Sequence, residues 1–148
     1  IDIGEADDIH PRNKADVGGR LARLALRDVY GRQDPGAGGP SFQGMKVEGN
    51  RLRLAFDGIG AGLMVGRKEG RNPAVEDAGR PLQRFAIAGA DRNWHWADAA
   101  IDGDTVVVQA AAVPAPVAVR YAFATNPEGA NLYNREGLPA SPFRSDDW

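Results

Sequence analysis

The chain contains no cysteine. Disulfides and thiolate metal sites are therefore excluded, and redox compartment stays undetermined. Histidine is scarce as well. His10 and His95 are the only two, and with scattered acids they form no recognised ligand spacing, so neither a metal nor a cofactor is expected. Hydroxyl nucleophiles are few, with three serines and two threonines. Ser41 follows Gly38-Gly39-Pro40, which is neither a nucleophile elbow nor a Gly-Asp-Ser turn. Ser141 and Ser145 sit in a Pro- and acid-rich tail, where serine ordinarily shapes turns. The Gly36–Gly39 stretch lacks the lysine and the preceding strand of a phosphate cradle. No apolar run approaches the roughly 20 residues that cross a bilayer. A formal net charge of −2 gives no reason to expect nucleic acid or an anionic membrane as partner. The arginines outnumber lysines 15 to 3 but are scattered rather than gathered in a patch.

What is present has two characters. A chain of 148 residues suits one domain with a real core. Residues 11–31 read as a helix: Pro11 precedes it, Asn13 is the N-cap, and Asp16 follows three residues later. Val17, Leu21, Leu24 and Ala25 recur at helical spacing, and Gly31 closes the segment. Such a stripe needs a larger body to pack on. Residues 32–41 (RQDPGAGGPS) read as a loop, and beyond them come short strands punctuated by turns. Hairpins are expected around Gly49-Asn50 and around Asp102-Gly103-Asp104. Further strands are expected within 62–66, 82–88 and 117–123, giving a sandwich-like region. The tail 131–148 reads as irregular. The chain opens on Ile1 without a leader-like segment, which means a removed leader or, better suited to a motif so near the start, a chain beginning partway through a longer protein.

The chemistry concentrates in EADDIHPRNK, residues 5–14. In acyl-transfer hydrolases a histidine takes the proton from a serine hydroxyl while a carboxylate holds the imidazole in the right tautomer. Asp7 lies three residues before His10 and Asp8 two before, so either can be the orienting acid on a tight loop. Pro11 stiffens the exit. A second constellation is Asn93-Trp94-His95-Trp96. In a strand the two indoles share one face, and rings so placed either stack on sugars or, more commonly for tryptophan, fill a core. Asn131, Tyr133 and Asn134 are polar ligands for a sugar or turn-shaping groups.

The segment IDIGEADDIHPRNKADVGGRLARLAL resembles the histidine block of sialate O-acetylesterase-like proteins of the SGNH hydrolase superfamily. FAIAGADRNWHWADAAIDGDTVVV and VRYAFATNPEGANLYNREGLPASPFRSDD resemble later parts of the same family, in the same order. The resemblance implies an α/β (flavodoxin-like) SGNH fragment. Residues 1–31 would end the catalytic domain with the His loop and final helix, and residues 32–148 would form a β-rich C-terminal region. It also implies a serine esterase acting on acetylated carbohydrate, with His10 as base and Asp7 or Asp8 orienting it. The serine and oxyanion blocks of that family are not in this chain, so a companion N-terminal segment carrying the nucleophile is the implied partner. The resemblance points to a periplasmic or secreted setting. The rival reading is a non-catalytic carbohydrate-binding β-sandwich module, or a structural subunit.

Overall fold

In a computed structural model, residues 1–33 and 36–148 are described. The expected loop at 32–41 is therefore only partly visible, because its Asp34 and Pro35 lie outside the described residues. The chain starts with an extended, turn-rich segment and enters α1 (Lys14–Asp28). The helix begins where it does because Asn13 caps it: its side chain accepts from the Asp16 N–H at 3.1 Å and donates back to the Asp16 carboxylate at 2.5 Å. It ends at Gly31, whose φ of 64° is left-handed, and the Arg32 N–H reaches back to the Leu26 carbonyl at 2.9 Å.

Eleven strands follow among the described residues. The first sheet joins β1 (Ser41–Glu48), β2 (Arg51–Asp57), β8 (Thr105–Gln109) and β7 (Asp98–Asp102) in that order. Glu48 pairs with Arg51 across the Gly49-Asn50 turn, where Gly49 takes a φ of 67° that costs little only without a Cβ. The second places β3 (Leu63–Arg67) between β10 (Leu132–Asn134) and β4 (Val75–Glu76). The third runs β11 (Phe143–Arg144), β9 (Ala118–Tyr121), β5 (Phe85–Ala88), β6 (Trp94–Trp96).

Period-two alternation decides what goes inside. Leu52 and Leu54 of β2, Val106 and Val108 of β8, Phe85 and Ile87 of β5, and Val119 of β9 are all fully buried and meet in one cluster. Each such side chain contributes about 1.5–3 kcal/mol by leaving water. Phe143 stacks on Phe42 with ring centroids 4.3 Å apart, so the C-terminal tail is sewn into the core.

The α/β SGNH expectation is overturned. Every strand pairing among the described residues is antiparallel, and α1 is the one α-helix among them. A flavodoxin-like fold needs helices crossing between parallel strands, whereas α1 precedes all the strands and connects none of them. An amphipathic stripe shows that a helix has an apolar side; it carries no information on the direction of strands elsewhere. The tail also departs from expectation. Leu132, Tyr133, Asn134 and Ala140 are buried, held by hydrogen bonds rather than by long strands.

Candidate active site in the N-terminal loop

The loop before α1 is a tight turn closed by a bridge between Glu5 and Asp8. Ala6 and Asp7 occupy the tip, which sends the Asp7 side chain into solvent; it has no hydrogen bond or ion pair among the described residues. Asp8, just past the bridge, folds back over His10. Its Oδ1 accepts from the His10 backbone N–H at 2.8 Å and lies 3.1 Å from His10 Nδ1. A carboxylate two residues upstream can thus cap the following backbone and meet the imidazole with the same oxygen. With Nδ1–H donating to Asp8, Nε2 is left as the acceptor, the arrangement a general base requires. The loop therefore pairs His10 with Asp8, not Asp7. The pair is open, with 75% of the His10 side chain and 54% of the Asp8 side chain accessible.

Polar contacts hold this loop and α1 to the β-body. Arg20 grips Asp2 with two bonds of 2.7 Å, and the Asp2 carboxylate, only 2% accessible, also accepts from the Tyr133 hydroxyl. Burial pushes the Asp2 carboxyl up, but the Arg20 hydrogen bonds and charge prevail and hold it below the usual 3.8. Tyr133, buried beside that carboxylate, has its phenol pushed well above 10. Lys68 reaches the Asp16 carboxylate at 2.6 Å, lowering it, and Asn13 donates to the Gly70 carbonyl at 3.0 Å. No residue of α1 is buried. Leu21 and the following Val29 and Tyr30 are 62%, 75% and 74% exposed, and Ile9 in the loop is 90% exposed.

None of the serines serves His10 within the described residues. Ser145 Oγ accepts from the Val119 N–H at 2.9 Å. Ser141 is tied through its backbone to the Pro40 carbonyl, next to Ser41. No cluster of three or more metal-ligating side chains exists among the described residues, and no helix among them is long and apolar enough to cross a membrane.

The other sequence candidates separate cleanly. Asn131 and Asn134 are buried braces: Asn131 accepts from Gln83 N–H and donates to the Pro81 carbonyl, while Asn134 donates to the Gly36 and Gly58 carbonyls and accepts from Leu138 N–H. Trp94 and Trp96 do not fill the core. Trp94 is half-buried and Trp96 is 69% exposed, on the outer face of the third sheet. Sequence reasoning missed Asp2 and Arg20, whose pairing joins positions distant in the chain and leaves no local signal.

No family model and no curated protein matches the chain. Among solved structures, it is similar over its whole length to a carbohydrate acetylesterase from Xanthomonas citri. The identity is 47% and the TM-score 0.87, covering 100% of this chain and 32% of that one. The chain thus spans about a third of the length of that neighbour.

Proposed function

We propose that this chain is the histidine-bearing part of a carbohydrate O-acetylesterase. The observation that carries the reading is the Asp8–His10 pair, held at 3.1 Å on an exposed loop, with Nε2 making no hydrogen bond to another described residue. The likeness to the Xanthomonas citri enzyme supports the reaction class. In this reading His10 Nε2 takes the proton of a serine hydroxyl supplied by a companion segment outside this chain. The serine oxygen attacks the acetyl carbonyl, and the protonated imidazole then gives its proton to the departing sugar oxygen. Water, activated by the same nitrogen, releases acetate from the acyl-serine. Asp8 steadies the imidazolium at both stages. The uncovered apolar residues Ile9, Leu21, Val29 and Tyr30, beside His10 and along α1, suit the surface of such a companion. The likeness to sialate O-acetylesterase-like proteins makes O-acetylated sialate the first sugar to assay.

The test is acetate release from O-acetylated saccharides by the tagged chain isolated with its companion from the native host. The reading requires activity in the wild type and its loss in His10→Ala. Equal rates in the two, or no acetate release from the wild-type assembly, would reject it.

A further inference from the structure

The outer face of the third sheet carries a groove that has no part in the chemistry proposed above. Register makes it. Trp96 pairs with Ala86, Ala86 with Arg120, and Arg120 with Arg144, so one row crosses all four strands on the side away from the core. Ala86 is the low point of that row. Trp96 on β6 forms one bank, and Arg120, packed on Trp94, forms the other with Phe123. The space between is about 340 Å³, at the small end of ligand pockets. Trp96 and Phe123 expose 69% and 52% of their surface, an unusual outlay of aromatic area on a face turned to water.

The bank is built rigid. The Arg120 guanidinium lies 4.0 Å above the Trp94 ring and 4.9 Å from Phe123, and is locked by two bonds to Asp146, at 2.9 and 2.5 Å. That pairing uses up the Asp146 charge. Arg84 differs. Its guanidinium sits 5.8 Å from the Trp96 ring, its Nε donates to the Glu128 carbonyl, and its terminal nitrogens bond to no other described residue. None of the residues lining the groove is acidic. The backbone at the mouth is strained as well. Arg84 and Ala122 both have left-handed φ, 67° and 49°, and the Ala122 N–H donates to the Arg84 carbonyl at 2.9 Å. A glycine or asparagine would adopt those angles at less cost, so the mouth of the groove carries backbone strain.

We infer that this groove binds a uronate-bearing glycan chain, with a pyranose stacked on Trp96 and its carboxylate on Arg84. A β-linked glucuronate ring presents axial C–H groups on both faces, which suit an exposed indole. Its equatorial carboxylate then meets a guanidinium with unsatisfied donors, and such charge-assisted contacts are the strong ones. The loop of residues 126–129 lies between this groove and the cavity lined by Gly4 and Ala6 of the histidine loop. The groove can thus hold one sugar of a chain while another is presented elsewhere.

The test is calorimetric titration of the full chain with a β-1,4-linked glucuronate trimer and with cellotriose, its carboxyl-reduced counterpart. The trimer should bind saturably and at least about tenfold more tightly than cellotriose. Arg84→Gln, which keeps a side chain at the same backbone angle, should bring the trimer down to the cellotriose level without altering cellotriose. Trp96→Ala, at an exposed position where the fold survives, should weaken both about tenfold or more. His10→Ala should bind as wild type does, so the result stands apart from the esterase reading. No saturable binding of the trimer, equal affinity for the two sugars, or self-association of the chain that Trp96→Ala abolishes would each overturn the inference.

Discussion

Helix α1 and strand β2 are both amphipathic, yet they meet opposite fates. Leu52 and Leu54 of β2 are fully buried between sheets, whereas α1 buries no residue and leaves Leu21 62% exposed. The strand is held by apolar burial in which every alternate side chain takes part. The helix is held by its cap, by the Arg20–Asp2 pair with the segment before it and by the Asp16–Lys68 pair with the β-body. The contrast shows that an apolar stripe states what a segment is able to bury, and a separate observation is needed to say against what. Val17 and Leu24 of the stripe are half-buried, and Leu21 is left to solvent.

The comparison can be broken most forcefully at its strand end. Leu54→Ala should cost about 3 kcal/mol in denaturant unfolding, because the cavity is enclosed by both four-stranded sheets. Next comes the clamp. Asp2→Asn removes the negative charge and one of the two carboxylate oxygens that accept from Arg20 and the Tyr133 hydroxyl, and should cost about 2 kcal/mol, read as faster amide exchange across Lys14–Asp28 with the strands still protected. Acid acts on the same contacts more gently. The Asp2 and Asp16 carboxyls are depressed in the folded chain, so their stabilisation is complete above the ordinary carboxylate value of 3.8 and fades as pH falls through the lower folded values. The far-ultraviolet helical signal should therefore decline below about pH 3.8 while strand protection persists, and less of it should be lost in Asp2→Asn, which begins from a weakened state. The smallest effect belongs to the stripe itself: Leu21→Ala in the free chain should shift stability by less than about 0.5 kcal/mol. A cost near that of Leu54→Ala would mean that α1 is packed after all.

How much of this was legible in the sequence depends on the reach of each interaction. The cap at Asn13, the Gly31 terminator and both hairpins are written in contiguous residues, and the strands around them follow from alternation. Sheet order is not local: β2 beside β8 and β5 beside β9 join positions about fifty and thirty residues apart, so periodicity alone was silent on them. The α/β expectation came from the family resemblance, and no periodicity in the chain could set strand direction against it; the antiparallel pairings overturn it. In the candidate site, His10 was visible as a lone histidine behind two acids, but the choice between Asp7 and Asp8 needed the Glu5–Asp8 bridge that turns one outward and the other back. For Trp94 and Trp96, alternation correctly placed both rings on one face; it could not say that the face is turned outward, because that depends on Ile87 and Phe85 of the neighbouring strand taking the core side.

The central claim is that His10, held by Asp8, serves a serine from a companion segment. It is tested most directly by acetate release from the native-host assembly containing either wild-type chain or His10→Ala, with thermal unfolding of both followed in parallel. The account predicts a loss of at least about 10³-fold with an unchanged melting temperature. A variant that keeps more than a tenth of the wild-type rate, with the fold intact, would contradict it.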